Sequence, residues 1–227
     1  MALLLFDIDG TLLMPRDIGR RAFQRALDAL HPGLPPAPHF PYDGLLDPQI
    51  ARRTLEAMGV PTEGGEVAAV LEAYLEHLAD ERPPSSQGYL CPGVPEVLQD
   101  AILRGHTLGV LTGNVRHGAR MKLDFFGLGG YFPSGAFGED APERWGLVPV
   151  ALERVRKPAG DRFGERETWI VGDSPRDLAA ARGAGVRCVL VATGGTSKDT
   201  LAALEPDLLL DDLSDGLSLW SAVEAAA

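Results

Sequence analysis

The chain has 227 residues, of which 45% are hydrophobic and 23% are charged, and its formal net charge is -11. This length is sufficient to bury the core of one large domain or of two modest domains. Because no compact basic run offsets the negative charge, nucleic acid and anionic membranes are excluded as expected partners.

The first predicted element is a short apolar strand at residues 3–6, which runs into Asp7-Ile8-Asp9-Gly10-Thr11. Two carboxylates held this close are costly unless a cation lies between them, and Mg²⁺ prefers such oxygen ligands. A carboxylate can also attack phosphorus while its neighbour transfers protons. Asp7 is therefore a candidate nucleophile and Asp9 a candidate acid/base. The alternative is an Asp-Gly turn after a buried strand.

The next segment, residues 14–89, has apolar residues at helical spacing and no convincing strand. We expect three helical stretches, the first two separated by the Pro-rich residues 31–41, which would form a small inserted helical bundle. The predicted domains are thus an α/β core at 1–13 and 90–227 and this helical bundle at 14–89. The candidates for substrate contact from the bundle, each of which also fits a solvated helix face, are the loop 42–47, Arg16, Arg20, Arg52 and Arg53.

The rest of the chain alternates short apolar runs with helical patterns, which is typical of a doubly wound, Rossmann-like parallel sheet. The predicted strands are 107–111, 168–171, 187–191 and 207–210, and the predicted helices are 94–103, 119–126, 148–155 and 178–184. In such an α/β fold, ligands bind outside the carboxyl ends of the strands.

Two further motifs follow predicted strands. Thr112-Gly113-Asn114 offers a hydroxyl and backbone amides, as a phosphate cradle requires. Asp173 and Asp177 follow the strand at 168–171, with Asp177 in the first turn of a helix. Three strand ends therefore carry complementary chemistry.

In this combination the chain resembles the haloacid dehalogenase superfamily, in particular the phosphatase branch with phosphoglycolate phosphatases and phosphoglucomutase-like enzymes. The resemblance covers nearly the whole chain. It implies that Asp7 is the nucleophile and a ligand of Mg²⁺, and that Asp9 is the acid/base whose backbone carbonyl also binds the metal. It further implies that Asp173 binds the metal and that Asp177 supports the water shell of the metal.

The same resemblance assigns the phosphate-binding hydroxyl to Thr112, with Gly113 and Asn114 lining that loop. It also implies that the helical bundle at 14–89 is a helical cap that closes over the site, excludes water and recognises the rest of the substrate. The alternative is an extra helical domain without a gating role. Branches that cleave carbon-halogen bonds lack an acid at the position of Asp9, so phosphate ester chemistry is preferred.

The family also has a cation, normally a lysine, near the nucleophile. Lys122 lies on a predicted amphipathic helix and is interpreted as structural, and Lys198 lies too late in the chain. We expect Arg144 to be this catalytic and phosphate-binding cation, with Lys157 as the second choice. The alternative for Arg144 is a surface position in the first turn of a helix.

The expected function is Mg²⁺-dependent hydrolysis of a small phosphorylated metabolite, with a phosphoglycolate-like ester favoured by the resemblance alone. The alternatives are a sugar phosphomutase similar to beta-phosphoglucomutase and a non-catalytic binding protein. Apolar runs are shorter than a membrane-spanning helix, and the Leu-rich start lacks the basic flank of a signal peptide. Cys91 and Cys188 are too few and too far apart in sequence for a disulfide scaffold or a zinc site, so we expect a cytoplasmic location. The sequence leaves the oligomeric state open between a monomer and a homodimer.

Overall fold

The computed structural model describes residues 1–38, 40, 42, 44–81, 88–159, 163–165 and 167–225, with the backbone alone at 156–159. The described strands are β1 (Leu3–Phe6), β2 (Leu13–Met14), β3 (Tyr89–Leu90), β4 (Thr107–Leu111), β5 (Gly135–Ala136), β6 (Thr168–Gly172), β7 (Arg187–Val191) and β8 (Leu208–Leu210). The described α-helices are α1 (Ile18–Leu30), α2 (Asp47–Ala57), α3 (Glu66–Asp80), α4 (Val94–Leu103), α5 (Arg116–Phe125), α6 (Leu147–Ala159), α7 (Pro175–Ala184), α8 (Lys198–Ala202) and α9 (Gly216–Ala225).

Six of these strands form one parallel sheet in the order β5-β4-β1-β6-β7-β8. Side chains on β1 alternate between its two faces, because successive residues of a strand point to opposite sides. Leu4 and Phe6 pack in one apolar cluster with residues of α4, α5 and α9. Leu3 and Leu5 pack in a second cluster with residues of α6, α7 and α8. Helices therefore cover both faces of the sheet, and the predicted doubly wound α/β fold is confirmed.

The helices α1, α2 and α3, called the helical insertion below, pack on one another through a third apolar cluster. They lie in the chain between β2 and β3, which pair as an antiparallel two-stranded ribbon. The predicted domain boundaries at 13/14 and 89/90 fall within this ribbon. In the part of the chain that the structure describes, no helix is long and apolar enough to cross a membrane.

Most predicted elements occur at or near their predicted positions. β1, β4 and β7 have the predicted bounds, whereas α5 begins three residues earlier than the predicted helix, at Arg116. The elements without a prediction are the two-residue strands β2 and β3 and the helices α8 and α9, whereas β5 lies within residues 132–140, where a strand and a loop are expected from the sequence. A strand of two residues is too short to show an alternating pattern, so its pairing depends on partners that are distant in sequence.

Candidate functional site

Three central strands bring the predicted motifs to one edge of the sheet. β1 lies between β4 and β6. Asp7, Thr112 and Asp173 are each the first residue after one of these strands. The amide of Asp7 continues the parallel pairing by donating to the Val171 carbonyl at 2.9 Å. Parallel pairing therefore places the three motifs side by side, as the spacing of the strands predicts.

The turn after Asp7 requires a glycine. Gly10 has φ +86°, and an added Cβ there would lie 2.5 Å from Oδ2 of Asp173. Thr11 then donates its hydroxyl hydrogen to Oδ1 of Asp173 at 3.2 Å. The first motif thus packs directly on the carboxylate of the last one.

Asp7, Asp173 and Asp177 form a buried acidic cluster, in which carboxylate oxygens of all three lie within 4.8 Å of one another. Burial, together with the negative charges of Asp177 and Asp7, raises the pKa of Asp173 to about 8. Burial also raises the pKa of Asp7 to about 6, although Arg144 opposes the shift. Three buried carboxylates this close together fit a divalent cation, because added positive charge would stabilise all three.

Helix α7 fixes the third acid of this cluster. Asp177 accepts hydrogen bonds at Oδ2 from the amide of Ser174 at 3.1 Å and from its hydroxyl at 2.6 Å. This interaction caps the helix and leaves Oδ1 of Asp177 directed at Arg144, 2.5 Å from Nη2. Asp177 is fully buried, so its orientation is set by partners rather than by solvent.

Arg144 lies inside the site rather than on the surface. It is buried, and Nη2 lies 2.8 Å from Oδ2 of Asp7 while Nε donates to Asp177 at 3.0 Å. Although burial opposes its charge, Asp177 and Asp7 raise the pKa of the guanidinium further. The predicted cation is therefore permanently charged and in contact with the candidate nucleophile.

Asp9 points away from the acidic cluster. Its Oδ2 accepts hydrogen bonds from Asn114 Nδ2 at 2.7 Å and from Lys122 Nζ at 2.6 Å. Its Oδ1 is buried and has no hydrogen-bond partner among the described residues. The carboxylate of Asp9 is thus placed for another task than those of Asp7 and Asp173, and the expected contribution of its carbonyl to a metal stays a prediction.

The loop after β4 connects the core with the helical insertion. Asn114 donates to the Thr112 hydroxyl at 2.8 Å, so the two side chains hold each other. Gly113 lies so close to the insertion that an added Cβ would be 2.1 Å from the Leu45 carbonyl oxygen. Asp47 closes this contact by donating its amide to Gly113 at 2.7 Å and accepting the Val115 amide at 2.8 Å. The start of α5 is therefore fixed by a residue from α2.

Lys122 belongs to the site, although the sequence analysis interpreted it as a structural helix residue. Its side chain is 7% exposed, and Nζ contacts both Asp9 and Asn114 at 2.6 Å. Lys198 instead forms a surface ion pair with Asp211. The side chain of Lys157 lies outside the described residues. The sequence did contain a signal for a buried role of Lys122. This lysine lies at helical spacing on the same face of α5 as the apolar residues Ala119 and Leu123.

A cavity of about 390 Å³ opens onto this cluster. Its lining includes Arg16, Arg20 and Tyr42 from the segment between β2 and β3. Arg52 instead donates to the Thr62 hydroxyl at 3.1 Å. Of the other predicted contacts, Arg53 is exposed, and Asp43 lies outside the described residues. The cavity suits a small molecule that places one anionic group among the cations and amides of the site.

Comparisons with known proteins agree with this geometry. A family model described as haloacid dehalogenase-like hydrolase matches residues 4–191. A phosphoglycolate phosphatase of Agrobacterium fabrum is 30% identical, covering 93% of this chain and 89% of its own length. The pyrophosphatase PpaX of Bacillus velezensis is 27% identical, covering 95% of this chain and 94% of its own.

The fold is similar to that of CbbY from Rhodobacter sphaeroides in complex with phosphate. That structure has a TM-score of 0.74 and 22% identity, over 95% of this chain and 96% of the other. Identity this low supports the fold alone, whereas the family model covers most of the chain and the relative at 30% identity spans nearly its whole length. The chain therefore belongs to the haloacid dehalogenase-like hydrolase family.

Proposed function

We propose that this protein hydrolyses small phosphate monoesters through an aspartyl-phosphate formed on Asp7. The observation that carries the proposal is the buried pairing of Asp7 with Arg144 beside the acidic cluster, at the end of a cavity that also contains Asp9. A carboxylate held against a permanent cation at a strand end is positioned for nucleophilic attack on an anionic phosphorus centre.

In the first step, a carboxylate oxygen of Asp7 attacks phosphorus, and the bond from phosphorus to the ester oxygen breaks. Asp9 donates a proton to that leaving oxygen, so the product is a neutral alcohol and Asp9 becomes a carboxylate. Thr112 and the amides of Gly113 and Asn114 would hold the phosphoryl oxygens, since they line the same cavity.

In the second step, Asp9 accepts a proton from water as that water attacks the phosphorus of the aspartyl-phosphate. The bond from phosphorus to Asp7 breaks, inorganic phosphate leaves, and both aspartates return to their starting states. Asp9 can serve both steps, because the proton that it gives to the leaving oxygen in the first step is replaced by the proton that it takes from water in the second.

The acidic cluster fits Mg²⁺, which we propose as the cofactor. Asp7 and Asp173, together with the carbonyl of Asp9, would hold it, and Asp177 would support its water shell. When bound, the ion offsets negative charge between the carboxylates and the phosphoryl group. Arg144, which contacts Oδ2 of Asp7, supplies further positive charge.

We propose that residues 14–89, which contain the helical insertion, form a cap domain. Its support is the contact of Leu45 and Asp47 with residues 112–114, called the phosphate loop below, which couples the position of the insertion to that of Gly113. The printed name of the Agrobacterium relative makes 2-phosphoglycolate the first substrate to test. We further propose a cytoplasmic location, in keeping with a phosphorylated metabolite as substrate.

The test is release of inorganic phosphate from a panel of 2-phosphoglycolate, pyrophosphate and hexose 1-phosphates, with Mg²⁺ or with a chelator. Asp7→Asn is the matched control, since it removes the nucleophile while keeping the volume of the side chain. Metal-dependent release that the variant lacks would support the proposal. Conversion of a hexose 1-phosphate into its 6-phosphate without phosphate release would instead support a phosphomutase, and no turnover of any compound would support a binding protein.

A further inference from the structure

We propose that Lys122 is a positioning residue for Asp9: it holds the carboxylate in the orientation from which Asp9 serves the leaving group. This inference rests on the proposed phosphatase function, in which Asp9 protonates the ester oxygen. Lys122, Asn114 and Asp9 form a closed set of hydrogen bonds. Lys122 Nζ lies 2.6 Å from Asp9 Oδ2 and 2.6 Å from Asn114 Oδ1, and Asn114 Nδ2 lies 2.7 Å from Asp9 Oδ2.

The burial of Lys122 argues for a specific task. An ammonium group removed from water is costly unless it is paired and hydrogen-bonded, and its side chain is only 7% exposed. The same face of α5 carries Ala119 and Leu123, where an apolar residue would pack at no such cost. The hydrogen bonds with Asp9 and Asn114 keep the charge there, together with the nearby Asp47 and Tyr74.

The two oxygens of Asp9 have different surroundings. Oδ2 accepts two donors, one from an ammonium and one from an amide, and neither donor can accept a proton from it. Oδ1 is buried and has no partner among the described residues. Asp9 lines the cavity and its side chain is 34% exposed, so the two contacts at Oδ2 fix the orientation in which the carboxylate meets a substrate.

Direct binding of phosphate by Lys122 is the competing role. An ammonium group has three donors, and two of them are occupied by Asp9 and Asn114. The cation that contacts the candidate nucleophile is Arg144. The two roles predict different effects on hydrolysis. Loss of a phosphate-binding cation should slow the hydrolysis of every ester equally, whereas loss of a residue that orients the acid should slow mainly the esters whose leaving oxygen needs a proton.

The test compares kcat/KM for two esters, since this ratio reports the step in which the ester oxygen leaves. One is the best alkyl phosphate of the panel, and the other is 4-nitrophenyl phosphate, whose leaving group departs without a proton. The variants are Lys122→Met, the neutral hydrogen-bonding Lys122→Gln, and Lys122→Arg as the conservative rescue. Lys198→Met is the matched control, because Lys198 pairs with Asp211 at the surface.

We expect Lys122→Met to lower kcat/KM for the alkyl ester at least tenfold more than for 4-nitrophenyl phosphate. Lys122→Arg should recover part of that difference, and Lys198→Met should leave both values unchanged. Equal losses for the two esters, or a weaker inhibition constant for inorganic phosphate as the main effect, would overturn the positioning role. If Lys122→Met does not fold, Lys122→Gln decides by the same ratio. A wild-type protein that hydrolyses no ester would refute the proposed function itself, which separates the two failures.

Discussion

The guanidinium of Arg144 lies 2.8 Å from the carboxylate of Asp7, and both side chains are buried. The same guanidinium contacts Asp177, so one cation is shared by an acid that follows β1 and an acid in the first turn of α7. Because Asp173 adds a third carboxylate to this cluster, a single positive charge does not balance it. The residual negative charge is the physical reason to expect a divalent cation here.

Replacing Arg144 by alanine should lower both activity and stability. The variant leaves Asp7 and Asp177 buried without their cation, which typically costs about 3–5 kcal/mol. We expect a loss of at least about tenfold in kcat, since positioned charge at a developing phosphoryl transition state is worth this much or more. Urea unfolding and phosphate release would measure the two effects.

Arg144→Lys is the control that keeps the positive charge but lacks the planar guanidinium group. It should recover part of the stability but not the paired contact with both acids. An Arg144→Ala protein with the activity of the wild type would show that another cation, such as Lys122, serves the nucleophile.

Replacing Asp7 by asparagine should abolish turnover while the fold is retained. The amide is not a nucleophile, yet it keeps the shape of the side chain, and Arg144 keeps its contact with Asp177. Acid-quenched mass spectrometry should find a phosphorylated Asp7 in the wild type and none in the variant. Steady-state turnover by Asp7→Asn would contradict the covalent route.

The motif residues could be predicted because each one directly follows a buried strand. No tertiary contacts have to be known to place Asp7, Thr112 and Asp173 at a common edge of the sheet, since the carboxyl ends of parallel strands lie on the same side. The choice of Arg144 depends on the resemblance to the family, whose cation lies at the start of a helix after a strand and a loop. Its contact with Asp7 depends on the packing of α6 and α7 against the sheet.

Lys122 and Asp47 show what a sequence pattern does not contain. Lys122 meets Asp9 across 113 positions of the chain, and Asp47 meets Val115 across 68. Neither pairing has a local signature, because helical spacing predicts which face is buried and not what that face contacts. A charged residue on a predicted apolar face is nevertheless a signal that a buried partner exists.

The stability of the metal-free protein should depend on pH through Asp173. Its pKa is about 8 in the folded state against an ordinary value of 3.8. An acid whose pKa is raised by folding adds to the free energy of unfolding, and this contribution is fully present below about pH 4. It is lost as the pH rises through about 8, by about 1.4 kcal/mol per pH unit for one proton. With a chelator, the melting temperature should therefore fall between pH 5 and 8.

Adding Mg²⁺ should raise the melting temperature more at pH 8 than at pH 5, because the metal competes with protons for the same oxygens. Asp173→Asn removes the raised acid, so its melting temperature in chelator should vary less with pH and respond less to Mg²⁺. A response to Mg²⁺ as large as that of the wild type would place the metal elsewhere.

The contact between Gly113 and Leu45 should be required for activity. An alanine at position 113 would place its Cβ 2.1 Å from the Leu45 carbonyl oxygen, so either the phosphate loop or the helical insertion must move. A displacement near 1 Å in a positioned site can cost about 100-fold, and we expect a loss in kcat/KM between about tenfold and this value. Gly130→Ala is the matched control, since an added Cβ there meets nothing within 4 Å. Unchanged kcat/KM in Gly113→Ala, with both variants equally stable in urea, would mean that the phosphate loop functions independently of the insertion.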